Sequence, residues 1–188
     1  MLNSAPNNKN YKNGLYVPKH KDKIIKLNNQ GGLFYRSGLE QKFMIYLDYN
    51  ENVIYWNTEL IKIPYLKNAW NNKLKEENLT EHSYFPDFYY EIKKKDGSIS
   101  KVVAEVKPYK DTILPKLPDN PTLNQLKNFE YSMKEYSKNM DKWKFCYEWC
   151  KMKGYDFIII PDKKPCEICH GSTKGCSYCE KGWRKFLK

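Results

Sequence analysis

The chain has 188 residues, a formal charge of +11 and six cysteines, a length that suits one domain with a full core plus short appendages and excludes two equal domains. No run of about 18 apolar residues exists, and the N-terminal MLNSAPNNKNYKNG lacks the apolar centre of a secretory leader, so a soluble, intracellular protein with no membrane partner is expected. The 33 basic against 22 acidic side chains favour a polyanionic partner, but nearly all the basic ones are Lys in a chain rich in Asn, Tyr and Ile. An AT-rich genome writes that composition by default, so charge alone does not decide.

Residues 1–32 are polar, rich in Asn and Lys, and close on Gly31-Gly32; they read as an extended arm that wraps its own domain or reaches a neighbour. Over 37–49, Leu39, Phe43, Met44, Tyr46 and Leu47 recur at helical spacing, which predicts an amphipathic helix. VIYWNTELIKIPY (53–65) reads as one strand bent near Asn57-Thr58, and the polar run 67–81 as a loop. Next come two strands, YFPDFYYEI and SKVVAEVKP, joined at Asp96-Gly97. A connection punctuated by Pro108, Pro115, Pro118 and Pro121 follows. Residues 123–138 and 142–153 are helical in pattern, as one helix or a pair, and YDFIIIP (155–161) is a short buried strand. The order helix, three strands, helix, strand gives an α/β core whose apolar strands imply a sheet covered on both faces. The expected units are an arm over 1–32, the α/β domain over 33–162 and a Cys-rich tail over 163–188.

Two carboxylates stand where buried strands favour Val. Period-2 alternation puts Val103, Glu105 and Lys107 on one face of their strand and Val102, Ala104 and Val106 on the other. The place of Asp87 depends on register. A two-residue Asp96-Gly97 turn pairs it with Val106 and turns it away from Glu105; a three-residue Asp96-Gly97-Ser98 loop pairs it with Lys107 and brings the three polar groups to one face. Adjacent buried carboxylates repel unless a cation neutralises them. Mg²⁺ does so with one or two protein carboxylates, keeping positions for water and a phosphate oxygen. Asp followed by Glu-x-Lys therefore makes a kit for metal-dependent phosphodiester hydrolysis. The bland alternative is a solvated Glu105-Lys107 pair and a turn aspartate.

Pro86-Asp87 followed by Glu105-Val106-Lys107 resembles the P-D…(D/E)-x-K signature of the restriction-endonuclease-like nucleases, whose core is helix, three strands, helix, strand. The first helix of that superfamily often donates a further acidic ligand, here Glu40, although Ser37-x-x-Glu40 also forms a capping box. YRSGLE (35–40), YFPDFYYEI (84–92), VAEVKP (103–108) and MDKWKFCYEWCKMKGYDFIII (140–160) together resemble the head-completion proteins of large contractile-tailed phages; the resemblance spans about 33–161. A similar arrangement occurs in the endonuclease subunit of some transposons.

The resemblance implies a virion-associated protein at the portal vertex or neck, present in the host cytoplasm during assembly. Its partners would be double-stranded DNA and portal or neck proteins, and Mg²⁺ or Mn²⁺ would be the cofactor. It also implies Glu40, Asp87, Glu105 and Lys107 as the catalytic set, the three acids as metal ligands, and Arg36 and Ser37 as phosphate contacts. Lys110 and Lys116 are further candidates for the DNA backbone. Where family members often carry a Gln after the Glu-x-Lys-Pro, this chain has Tyr109-Lys110-Asp111, and Gln125 is a distant substitute. The rival reading is a structural head-to-tail connector that keeps the nuclease fold for assembly contacts.

The tail carries Cys166-x₂-Cys169-x₆-Cys176-x₂-Cys179 with glycines between. Two such knuckles complete a tetrahedral Zn-S₄ site, and a segment too short to bury a core gains a reason to fold. It is similar to the glycine-bearing knuckles of DnaJ-type zinc modules. Cys146 and Cys150, at i and i+4 on a helix, read as small buried hydrophobes.

Overall fold

The computed structural model of the chain describes residues 13–71, 76–165 and 183–185. In chain order the elements are β1 (Gly14–Tyr16), β2 (Leu33–Tyr35), α1 (Gly38–Tyr49), β3 (Val53–Thr58), β4 (Ile63–Asn71), β5 (Glu76–Tyr84), β6 (Phe88–Lys93), β7 (Ile99–Lys107), α2 (Leu123–Lys153), β8 (Asp156–Pro161), β9 (Lys163–Pro165) and β10 (Trp183–Lys185). The central sheet has the order β3-β6-β7-β8. Its first three strands are antiparallel, and β8 returns through α2 to run parallel to β7.

Both faces of this sheet are covered, as the apolar strands require. On one face Phe43, Met44 and Leu47 of α1 pack against Val53, Trp56, Phe88, Tyr90, Val102, Ala104 and Val106. On the other, Trp143, Cys146 and Cys150 of α2 meet Tyr89, Val103, and Ile63, Tyr65 and Tyr84 of the β4–β5 ribbon. The even and odd positions of β7 thus divide between the two cores as the period of two demands. Cys146 and Cys150 are buried core residues, as expected.

Helix ends follow their local chemistry. Ser37 caps α1, its hydroxyl accepting from the Glu40 amide at 3.1 Å. Thr122 and Gln125 form a full capping box on α2, and Gly154, at φ 69°, ends it in the left-handed conformation. The two helical stretches expected over 123–153 are one helix of 31 residues.

Three expectations need correction. Residues 67–71 and 76–81 are not loop: they lie in β4 and β5, which pair from Ile63↔Tyr84 to Asn71↔Glu76. This ribbon stands off the central sheet as a separate two-stranded unit. Buried Ile63 and Tyr65 alternate with exposed Pro64 and Leu66, but over 67–81 the apolar residues Ala69, Trp70, Leu74 and Leu79 keep no period of two, so that run does not announce a strand. Nor is 53–65 one bent strand. The chain leaves the central sheet at Glu59, a non-glycine residue at φ 47°, and enters the ribbon at Ile63. Finally, β8 is an edge strand; only Ile160 is fully buried and Ile158 is 36% exposed. Its apolar run reflects side chains packed toward both cores, with Phe157 and Ile159 against one and Ile160 in the other.

Residues 13–32 wrap the domain. β1 pairs with β2, and Ile24 bridges to Trp56. Fully buried Asp48, on α1, accepts from the Tyr16 hydroxyl (2.6 Å), the Lys19 amide (2.8 Å) and the His20 amide (3.0 Å). No helix among the described residues is long and apolar enough to cross a membrane. Cys166, Cys169, Cys176 and Cys179, the expected zinc ligands, lie outside the described residues.

Candidate active site

Register decides whether the polar residues meet. The β6–β7 pairing runs from Lys93↔Ile99 to Phe88↔Ala104, and one further step sets Asp87 opposite Glu105. The loop has three residues, as the one-face arrangement requires, but it is Lys95-Asp96-Gly97, closed by the Lys94 amide on the Ser98 carbonyl. Gly97 takes φ 85°, the left-handed position of a three-residue hairpin. Asp87 therefore faces Glu105 and not Lys107, and all three groups still share the α2 side of the sheet.

Glu105 is the buried centre of the cluster, 4% exposed. Its Oε2 accepts the Tyr84 hydroxyl at 2.6 Å, with the Asp87 amide at 3.4 Å, while Oε1 meets the Lys107 ammonium at 2.9 Å. Asp87 Oδ2 accepts the Val106 amide at 2.8 Å. Burial, then the Glu105 charge, pushes the Asp87 carboxyl up to about 7. Burial works against the Lys107 ammonium, but the Glu105 and Asp87 carboxylates outweigh it and hold the group protonated above the ordinary lysine range. Burial and the Glu105 carboxylate likewise keep the Tyr84 phenol protonated.

Glu40 reaches the same centre from the α1 side. It shares a cleft of about 30 Å³ with Asp87, Arg36, Thr58 and Glu59. Its carboxylate accepts the Arg36 amide at 2.8 Å and lies 3.0 Å from the Ser37 hydroxyl, so the capping role is real. Arg36, expected to meet phosphate, is paired through both guanidinium nitrogens with Glu59. Ser37 is the α1 cap. Lys110 sits in a short helical turn (Tyr109–Asp111) beside Lys107, and Lys116 lies further along the same connection, next to α2. Gln125 belongs to the α2 capping box.

Four participants escaped the sequence reading. Tyr84 holds Glu105, and Glu59 holds Arg36. Asp162 accepts the Tyr109 amide at 2.7 Å and gives its own amide to the Lys107 carbonyl at 3.3 Å, fixing the chain just past Lys107. Lys142, on α2, lies 5.5 Å from the Tyr84 ring centre, its pKa lowered by burial and then by Lys138. Nothing in a single sequence distinguishes these from other Tyr, Glu, Asp and Lys residues; only the fold joins them.

Among the described residues no three His, Cys, Asp or Glu side chains gather closely enough to hold an ion together. The Asp87–Glu105 pair nevertheless suits a hard divalent cation, because Mg²⁺ needs only one or two carboxylates. Burial first and the Glu105 charge second raise the Asp87 carboxyl, and a cation bound between the two would oppose that rise.

A four-stranded mixed sheet between two helices, with Asp87, Glu105 and Lys107 at the end of its inner strands, fits the restriction-endonuclease-like class. Residues 50–162 match the family described as TnsA-like endonuclease N terminal, and the chain belongs to that family. Over 149 residues it is 32% identical to the head completion nuclease of Enterobacteria phage T4, an alignment covering 79% of this chain and 90% of that protein. The resemblance drawn from the motifs is thereby borne out. No solved structure matches the chain.

Proposed function

We propose that the chain is a metal-dependent DNA endonuclease that acts during completion of a phage head, at the packaged DNA or the portal vertex. The observation that carries this reading is the buried Asp87–Glu105–Lys107 cluster in a chain of an endonuclease family. Asp87 and Glu105 would hold Mg²⁺ or Mn²⁺, and Glu40, which caps α1 across the small cleft from Asp87, would join as a further ligand only once its side chain moves toward them. Bound there, the ion would polarise a phosphate oxygen and lower the pKa of its water.

The chain's own residues supply the rest. Val106 and Tyr84 fix the two carboxylates, so these two ligands need no rearrangement. Lys107, 2.9 Å from Glu105, would position the attacking water and meet the charge that develops on the phosphate. Lysines around the site hold the backbone without reading sequence, so binding weakens steeply with salt. The test is cleavage of plasmid and linear DNA with Mg²⁺ and with Mn²⁺. Nicking or linearisation that disappears with chelator is expected, and inertness on every substrate with both ions overturns the reading.

The tail joins this reading as a structural zinc module. β9 and β10 pair Pro165 with Trp183, bringing together the ends of the segment that carries Cys166, Cys169, Cys176 and Cys179. Four thiolates on such a closed segment suit a tetrahedral ion. Metal analysis of purified protein should return about one zinc per chain; less than about half an equivalent contradicts the site.

A further inference from the structure

The N-terminal part of α2 does not serve the core. Its buried residues are Trp143, Cys146 and Cys150, all in the last third, while residues 123–142 contribute none. That half of the helix overhangs the connection that follows β7, and between them lies a cavity of about 570 Å³. Sites for small ligands occupy about 300–1,000 Å³, so the space admits single nucleotides and not a double helix.

The lining has the chemistry of a base and its phosphate. Asn128, Tyr131, Tyr136 and Asn139 recur along one face of α2 and present rings and amides to the cavity, with Lys107 and Lys110 on the side of the cluster. Tyr131 is 68% exposed although it is a large ring on an amphipathic helix, so it has no packing role there. Two acids also border the space. Glu135 is paired with Lys138 at 3.6 Å, and Asp111 shares the lining with Lys107 and Lys110. Because Lys107 belongs to both the cavity and the carboxylate cluster, whatever fills the cavity is continuous with a strand at the cleavage centre.

We infer that this cavity receives unpaired nucleotides of the DNA strand next to the scissile phosphate, with Tyr131 stacking on a base and Lys110 meeting its phosphate. The inference takes its substrate from the endonuclease reading and deepens it: the preferred DNA has a gap, flap or frayed end beside the cut. Stacking is tolerant of base identity, so this adds a preference for structure without a preference for sequence.

The test uses the full chain in chelator, where no cleavage intervenes. Two duplexes of equal length are compared, one fully paired and one with a short single-stranded gap carrying 2-aminopurine. The wild type should bind the gapped duplex about tenfold more tightly and quench the 2-aminopurine. Tyr131→Ala should bring the two affinities within about twofold of each other, with binding to paired duplex unchanged, and Tyr131→Trp should restore the preference. Equal wild-type affinities overturn the inference, as does a preference that survives in Tyr131→Ala. A gap preference without Mg²⁺-dependent cleavage would sink the endonuclease reading and leave the cavity's role standing; cleavage without the preference would do the reverse.

Discussion

Glu105 is the residue on which the site turns, because a buried carboxylate needs every oxygen matched. Tyr84 and Lys107 match one oxygen each, at 2.6 Å and 2.9 Å. Replacing Tyr84 by Phe removes a hydrogen bond to a charged group and should lower the free energy of unfolding by about 1.5–3 kcal/mol in urea titrations. A Tyr84→Phe protein as stable as wild type would show that Glu105 finds another donor. Asp48 of α1, where the arm crosses it, is the matching case. Burial alone would raise its carboxyl, but the Tyr16 hydroxyl and the Lys19 and His20 amides hold it below the ordinary 3.8. A group lowered in the folded state stabilises fully above its unfolded value and loses that contribution as pH falls through the folded one. Stability should therefore fall below about pH 4 in wild type and more shallowly in Asp48→Asn; parallel curves would rule Asp48 out as the cause.

At the scale of elements, the sequence was most informative where one face of an element is buried. The period in Val102–Lys107 separated the two faces of β7 correctly, and the spacing of Phe43, Met44 and Leu47 placed α1. It was least informative where apolar residues do not recur at the period of the element they belong to. The β4–β5 ribbon, exposed on Pro64, Leu66 and Glu81–Ser83, has a loop-like composition, and only its backbone pairing reveals it. The hairpin shows the same limit at finer grain. Gly97 marked a turn and favoured an odd loop, but whether the loop begins at Lys95 or Asp96 depends on cross-strand packing that one strand's sequence does not contain. Asp87 consequently met Glu105 in place of Lys107. Gly97 at φ 85° has open space around it, so Gly97→Ala should cost about 1 kcal/mol from backbone strain alone. Unchanged stability by urea unfolding would mean that the turn relaxes to another type.

For the whole molecule, the motifs identified the family and the residues of the cluster, while their supports came only with the fold. Asp87, Glu105 and Lys107 were legible because their polarity contradicts buried strands. Tyr84, Glu59, Asp162 and Lys142 were not, since a side chain that orients another is unremarkable until the two are seen together. α1, the inner strands and α2 come together around the end of β7, the place proposed for phosphodiester hydrolysis. The direct test is cleavage of supercoiled plasmid in Mg²⁺ by wild type beside Asp87→Ala, with circular dichroism confirming that both are folded. Nicking by wild type and at least a hundredfold loss in folded Asp87→Ala, on the order of 3 kcal/mol in the barrier, is the predicted result; equal cleavage by the two proteins would contradict it.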